Sequence, residues 1–137
     1  MPRETGRQHE YFDSSALFAA IEAEDVISFL MSIEGRPNLD IRNSQGNTPL
    51  IEIIRKRKHS FFNELIINRK VNVNYPNSEG STPLMEAVKL KEQLFVHQLL
   101  DKGADVRIKD NNGKTALAYA IENKSQILQL ILRSKMI

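Results

Sequence analysis

The stretch "EGSTPLMEAVK" at residues 79–89 contains a motif that the chain repeats. Similar stretches occur earlier, as "QGNTPLIEIIR" at 45–55, and later, as "NGKTALAYAIE" at 112–122. Their shared threonines recur at intervals of 34 and 33 residues, at Thr48, Thr82 and Thr115. A period of this length is typical of stacked structural repeats, so each copy of the motif is interpreted as part of one repeated structural unit.

Each copy of the motif has the chemistry of a turn followed by a helix start. The threonine suits an N-cap, where a side-chain oxygen accepts a free backbone N–H. Pro49 and Pro83 follow at the first helical position, and the third copy has Ala116 there. A glycine stands two residues before each threonine, in "NSQG", "NSEG" and "DNNG", which favours a tight turn. The pattern therefore predicts a hairpin-like finger between successive units.

Two apolar blocks in each unit predict two helices. Leu17, Leu50, Leu84 and Leu117 each lead to apolar residues three and four places on. Counting back 33 residues from Thr48 reaches Ser15, another residue of the N-cap type. The second block in each unit is Val26, Ile27, Leu30 and Met31; Phe61, Phe62, Leu65 and Ile66; Phe95, Val96, Leu99 and Leu100; and Ile127, Leu128, Ile131 and Leu132. Each unit is predicted to be helix, turn of four to six residues, helix, stacked into an all-α solenoid.

Composition excludes several classes of protein. The 137 residues are 41% apolar and 26% charged, which is the profile of a soluble globular domain. There is no cysteine, so disulfides and cysteine zinc sites are excluded, and a reducing compartment is expected. No apolar stretch approaches a membrane span, and the start, "MPRETGRQHEYF", has no apolar core of a secretory signal. The formal net charge of +2 does not by itself indicate a nucleic-acid partner.

The segment "GSTPLMEAVKLKEQLFVHQLLDKGADVRIKDNNGKTAL" at 80–117 resembles an ankyrin repeat and the beginning of the next. The resemblance rests on the Gly-x-Thr-Pro-Leu opening, Ala87, the Leu99-Leu100 pair, the run from Gly103 to Asp105, and Asp110. The unit at 46–79 has "NRKVNVN" where Gly-Ala-Asp is expected. The histidine usual after Thr-Pro-Leu is absent, and Ile51, Met85 and Ala118 take its place.

The resemblance covers about residues 13 to 137 and implies a domain organisation. A flexible tail is expected at 1–12, followed by an ankyrin-repeat domain at 13–137. Its units are predicted at about 13–45, 46–79, 80–112 and 113–137. The first unit, with the short turn "EAED", is interpreted as an N-terminal cap.

Motifs of catalysis and metal binding were also sought. "NGKTAL" contains Gly-Lys-Thr, but the first glycine of a phosphate-binding loop would fall at Ile108. His9, His59 and His97 have no metal-ligand spacing and are expected to be solvated. No nucleophile elbow is present. The chain is therefore predicted not to be an enzyme and to have no catalytic residue, cofactor or metal site.

Ankyrin arrays bind partners on a concave face made of finger tips and first helices, and the resemblance implies the same here. The corresponding partner-binding residues are Arg42, Gln45, Asn47, Glu52, Arg55, Tyr75, Glu79, Met85, Lys89, Lys109, Asn112 and Tyr119. Tyr75, Met85 and Tyr119 are the predicted anchors, because aromatic residues dominate interface energetics. For two of these residues an alternative stays open. Tyr75 could instead pack against the neighbouring finger, and Met85 could instead fill the seam between repeats.

The run "RKRKH" at 55–59 is the most conspicuous cluster of charge. It falls in a predicted turn, and Lys89, Lys91 and Lys124 occupy or flank the corresponding turns of later units. The favoured interpretation is a solvated edge, and the alternative is a patch for a polyanion such as nucleic acid. Residues 13–34, by contrast, contain five acidic residues and no Lys or Arg.

These observations predict a non-catalytic protein-protein interaction module that acts as an adaptor, inhibitor or scaffold. The expected partner is another protein, with no membrane involved. Binding of nucleic acid through residues 55–58 is one alternative, and a pathogen effector acting on a host protein is another. The expected location is intracellular and cytoplasmic, in the host cytoplasm for an effector. The expected state is a monomer, with an end-to-end dimer as the alternative.

Overall fold

A computed structural model of the protein describes residues 14–36 and 38–136. The predicted tail at 1–12, with His9, lies outside these residues. Within the described ranges the chain forms eight helices and no strand. In chain order the helices are α1 (Ser14–Ala23), α2 (Val26–Ile33), α3 (Pro49–Arg55), α4 (His59–Asn68), α5 (Pro83–Lys89), α6 (Gln93–Asp101), α7 (Ala116–Glu122) and α8 (Gln126–Ser134). The prediction of an all-α stack of paired helices is confirmed.

The repeated threonines begin the first helices of units two to four, as predicted. The hydroxyl oxygens of Thr48, Thr82 and Thr115 accept the backbone N–H three residues later, at 3.1 to 3.2 Å. Pro49 and Pro83 occupy the first helical position, where no N–H is needed. These caps satisfy backbone donors that a short helix would otherwise leave free. Ser15, the expected equivalent in the first unit, instead lies inside α1, which begins at Ser14.

The turns between paired helices are shorter than predicted. They span 56–58, 90–92 and 123–125 in the later units and only two residues in the first, because one residue in each adopts the left-handed conformation. These residues are Glu24, Arg57, Lys91 and Lys124, with φ between 55° and 60°. A single left-handed residue ends a helix and reverses the chain in little space. It recurs at the same register in every unit.

Side chains from all four units form one hydrophobic core. The predicted apolar stripes of the second helices in the two central units are confirmed. All eight predicted residues are buried: Phe61, Phe62, Leu65, Ile66, Phe95, Val96, Leu99 and Leu100. Aromatic rings connect successive units. The rings of Phe29 and Phe61 stack with centroids 4.5 Å apart, and those of Phe62 and Phe95 lie 4.4 Å apart. Each unit therefore packs against its neighbours as well as within itself, so its stability depends on them.

The predicted stripe of the first unit is wrong. Val26 is 50% exposed, and Ile27 and Met31 are each 71% exposed. The buried residues of α2 are Phe29 and Ile33. The spacing between units explains the difference. The prediction paired Val26 with Phe61, 35 residues later, because each begins an apolar run, but the helices α2 and α4 begin 33 residues apart.

The same register leaves polar residues on both end faces of the stack. In α8 Leu128 and Leu132 are buried, whereas Ile127 is 48% exposed, contrary to the prediction. In the other units, the residues equivalent to Gln129 and Arg133 face the following unit. The residues equivalent to Ser28 and Ser32 face the preceding unit. On the outer face of the first unit, Ser28 and Ser32 lie beside the apolar residues Ala16, Ala19 and Met31.

The first helices of neighbouring units pack directly on one another, as α1 does on α3, α3 on α5, and α5 on α7. Contacts between neighbouring second helices are fewer. The stack therefore curves, with the first helices and the fingers on its inner, concave side. Among the described residues, no helix has the length and apolar character needed to cross a membrane.

Candidate protein-binding surface

Each finger is held rigid by one side chain at its base. The Oδ1 atoms of Asn43, Asn77 and Asp110 each accept two backbone N–H groups, two and four residues later, at 2.9 to 3.0 Å. This is the Asx turn that Asn and Asp favour. It fixes the finger tips before any partner arrives, which lowers the entropy lost on binding.

Backbone hydrogen bonds join the fingers side by side. The N–H of Ser78 donates to the carbonyl of Gly46 at 2.9 Å, and the N–H of Asn111 donates to that of Glu79 at 3.0 Å. The side chain of Asn111 donates a further bond to the carbonyl of Ser78 at 3.2 Å. The tips therefore form one continuous edge.

Two of the predicted contact residues, Asn47 and Glu52, lie beneath this edge and are buried. Asn47 is buried and accepts a hydrogen bond from the Asn77 side chain at 3.0 Å. Glu52 is buried as well, and its Oε2 accepts from the amides of Asn43 and Asn47 at 2.9 and 3.0 Å. The expectation that these side chains are exposed is wrong, because both attach the finger to its own helix or to the next finger.

Met85 is also misassigned as a partner anchor. Its side chain is only 1% exposed and lies within the core. The alternative, in which Met85 fills the seam between repeats, is the one the structure supports. A flexible thioether suits the irregular space between stacked units.

Glu86 is a buried carboxylate at the centre of the concave side. It accepts from Arg55 Nε at 2.8 Å, from Ser81 Oγ at 2.6 Å and from Lys89 Nζ at 3.2 Å. Burial alone would raise its pKa, but these hydrogen bonds and the charges of Arg55 and Lys89 outweigh burial and lower the pKa. The second and third units are thereby joined through an ion pair with one member buried.

We expect Glu86→Gln to lower the free energy of unfolding at pH 7 by about 1–3 kcal/mol, because Arg55 loses its charged partner. The pKa of Glu86 is lower in the folded protein than the unfolded value of about 4.3. Its contribution is therefore complete above that value and is lost as the pH falls through the folded pKa. The difference between variant and wild type should shrink below about pH 4 in urea titrations.

The exposed Glu34→Gln, in the first unit and away from Arg55, is the matched control for this measurement. It should stay close to wild type at every pH. A difference for Glu86→Gln that is the same at pH 7 and pH 3 would show that its charge does not contribute.

Tyr75 lies on the outer edge of the second finger and is half-buried. The guanidinium of Arg42, from the first finger, lies 4.9 Å from its ring centroid and donates to the carbonyl of Pro76 at 2.8 Å. This cation–π contact joins two residues that the sequence assigned to the same surface. Tyr75 thus packs against the neighbouring finger while one part of it stays exposed.

Tyr119 lies at the other end of the concave side and is half-buried. Its hydroxyl donates to Oδ2 of Asp110. The Nζ atoms of Lys89 and Lys114 lie 4.5 and 5.5 Å from its ring centroid. The bond to Asp110, with burial and the charge of that carboxylate, raises the pKa of Tyr119 to about 12. The ring is therefore fixed in place and stays protonated at neutral pH.

The remaining predicted residues are exposed on the finger tips. Gln45, Glu79, Lys109 and Asn112 all lie there. Within the part of the chain that the structure describes, the side chains of Gln45, Lys109 and Asn112 make no hydrogen bond or ion pair. They remain free to contact another molecule.

A cleft of about 480 Å³ lies where α1 meets the first finger. Its walls bring together three predicted residues, Arg42, Gln45 and Glu52. They also include residues that sequence reasoning missed, namely Ser14, Phe18 and Glu22. Because these three belong to the first unit, which lacks the Thr-Pro-Leu motif, nothing in the repeat pattern marked them. A second, smaller hollow of about 280 Å³ lies beside Lys89 and Tyr119.

The basic run at 55–58 is paired with acids from both neighbouring units. Arg55 and Arg57 contact Glu86 and Glu92 of the following unit, at 2.8 and 2.7 Å. Lys56 and Lys58 contact Glu22 and Glu24 of the first unit, at 2.8 and 2.6 Å. Much of the positive field of this run is therefore cancelled within the molecule.

The histidines have different surroundings. His59 was expected to be solvated, but it is half-buried and its ring stacks on Phe95 with centroids 4.2 Å apart. His97 is exposed, as expected. In 14–36 and 38–136, no three His, Cys, Asp or Glu side chains are grouped so as to hold a metal ion.

Four stacked helix pairs, joined by fingers along one edge, define a helical repeat solenoid. The family model described as ankyrin repeats (3 copies) matches residues 51–137, which is more than half of the chain. The chain belongs to the ankyrin-repeat family. Ankyrin repeats are in general non-catalytic protein-interaction modules. A comparison with curated proteins found no match.

Proposed function

We propose that this protein binds a partner protein through its concave side and acts as an adaptor, inhibitor or scaffold without catalysing a reaction. One observation carries the proposal: the finger tips present exposed polar side chains with no internal partner, on a backbone that is already fixed. The clearest of these are Gln45, Lys109 and Asn112. A rigid edge of free polar groups favours specific recognition over non-specific adhesion.

Two half-buried tyrosines supply the apolar part of the proposed interface. Tyr75 is held by Arg42, and Tyr119 is held by Asp110 and Lys89. Aromatic side chains held in one rotamer lose little entropy on binding, which is why they serve as energetic centres of interfaces. Arg42, Arg55, Glu79 and Lys89 would surround them.

Nucleic-acid binding through residues 55–58 is less well supported. All four cations contact carboxylates of neighbouring units. A polyanion would have to displace those carboxylates before it gained the attraction that drives such binding. A cytoplasmic location is proposed on the absence of cysteine, which suits a reducing compartment.

The proposal is tested by affinity purification from the native cell, followed by binding measurements with the purified partner. Replacing the tip residues with Gln45→Arg, Lys109→Glu and Asn112→Arg should weaken binding at least about tenfold. The control Ile67→Gln changes an exposed residue on the second helix of unit two and should bind as wild type. Unchanged binding of the triple variant, with a helical circular dichroism spectrum, would refute the concave-side proposal.

A further inference from the structure

The outer side of the last two units carries an exposed row of aliphatic side chains. Leu94, Ile127 and Leu130 are 56%, 48% and 65% exposed. Leu94 and Ile127 are each the second residue of their helix, so they hold equivalent positions in adjacent units. Leu130 lies one turn further along α8, on the same face as Ile127. The three therefore form one apolar row on the second helices.

Two lysines without an ion-pair partner lie at one end of this row. Lys91 and Lys124 are the left-handed turn residues that precede α6 and α8, and both are exposed. Among the residues that the structure describes, neither has a carboxylate within ion-pair distance. The equivalent residues of the first two units differ, since Glu24 contacts Lys58 and Arg57 contacts Glu92.

The charge at this turn is therefore neutralised in the first half of the stack and left free in the second. We define the basic–apolar strip as Lys91, Leu94, Lys124, Ile127 and Leu130. An exposed apolar row with uncompensated cations at one end is complementary to a segment that combines apolar side chains with carboxylates.

We propose that the basic–apolar strip docks an acidic amphipathic segment of a partner protein. The aliphatic row would receive the segment's Leu, Ile or Phe side chains, in the way that grooves between helices receive the apolar face of an amphipathic helix. Lys91 and Lys124 would pair with Asp or Glu on one flank of the segment. The strip lies on the second helices and the turns that precede them, away from the fingers, so it is separate from the concave-side site.

The chemistry of the strip favours a protein segment over two other anionic partners. Segments that lie on membrane surfaces insert Trp, Phe or Leu on a helix that carries many cations, whereas this row has no Trp or Phe and adjoins two lysines. Single-stranded nucleic acid is bound by cations together with aromatic rings on which bases stack. The strip has no Trp, Tyr or Phe, and the ring beside it is the imidazole of His97, at the position in α6 equivalent to Leu130.

The test is selection of peptides of about 16 residues from a random display library on the intact protein. Counter-selection uses a variant that carries Lys91→Glu, Lys124→Glu, Leu94→Gln and Ile127→Gln. All four positions are exposed, so the fold should persist, as circular dichroism will check. Peptides that bind only the wild type are expected to interleave Asp or Glu with Leu, Ile or Phe.

The affinities of the selected peptides for further variants then show how much the two lysines contribute to binding. Lys91→Glu with Lys124→Glu should weaken binding at least about tenfold, and the wild-type affinity should fall with added salt. The matched control, Lys70→Glu with Lys102→Glu, reverses the charge of two exposed lysines outside the strip and should bind as wild type. The concave variants Gln45→Arg and Asn112→Arg should also leave peptide binding unchanged, so the two surfaces are tested independently.

Three outcomes would overturn the proposal. The first is that no peptide distinguishes the wild type from the strip variant. The second is that the peptides that do so lack acidic residues. The third is that strip variants abolish binding to phosphatidylserine vesicles or to single-stranded RNA while no acidic peptide binds, which would reassign the surface to a membrane or to nucleic acid.

Discussion

Replacing Phe95 with alanine is expected to lower the free energy of unfolding by about 3–5 kcal/mol. The side chain is fully buried, and its ring contacts His59 and Phe62 with centroids 4.2 and 4.4 Å away. Both neighbours belong to the preceding unit, so the cavity would open in the interface between two units. Urea unfolding followed by circular dichroism measures the loss.

The adjacent residue provides a matched control for this change. Leu94 precedes Phe95 in the same helix but is 56% exposed, so Leu94→Ala should cost less than about 1 kcal/mol. Because Phe95 couples the second unit to the third, its loss should also broaden the transition, as expected when neighbouring repeats unfold separately. A loss below about 1.5 kcal/mol would contradict this account of the core. If the alanine variant is unfolded without urea, Phe95→Leu provides a milder test.

Gly80→Ala is expected to destabilise the protein by about 3 kcal/mol, and Gly113→Ala by only about 1 kcal/mol. Both glycines have positive φ, 80° and 77°, so both alanines meet the same backbone strain. A Cβ on Gly80 would also lie 2.6 Å from Asn111 Oδ1 and 2.9 Å from the backbone nitrogen of Asn111. A Cβ on Gly113 meets no described atom within 4 Å.

The difference between the two glycine variants measures the contact between fingers. The backbone of Asn111 cannot move away without losing its hydrogen bond to Glu79. Gly80→Ala should therefore separate the second finger from the third, and binding on the concave side should weaken with stability. Equal losses in the two variants, measured by urea unfolding, would show that the fingers are not in contact in solution.

Local chemistry made much of the fold predictable from the sequence. The capping threonines and the prolines after them act within a few residues, so the sequence was enough to place α3 and α5. The stripes of the central units followed because both helices of a unit recur at a nearly constant period. The stripes of the end units were misplaced because the prediction matched runs of apolar residues between units and did not keep the repeat spacing. Ile27 and Ile127 were therefore taken as core residues.

The binding surface was predicted less completely than the fold. A glutamate on a short helix is expected to face water, yet Glu52 and Glu86 are buried. Their partners come from a finger and from an adjacent unit, and no local pattern shows this. For the same reason Met85 was assigned to the surface. Tip residues such as Lys109 are exposed whatever their neighbours are, and their contact with a partner stays a prediction.

The alternating contacts of residues 55–58 have a consequence for how the units are ordered. Odd-numbered cations of this run contact the unit after it, and even-numbered cations contact the unit before it. The charges of the second unit are thus complementary to the unit on each side. Its place in the array is marked by its side chains as well as by the order of the chain.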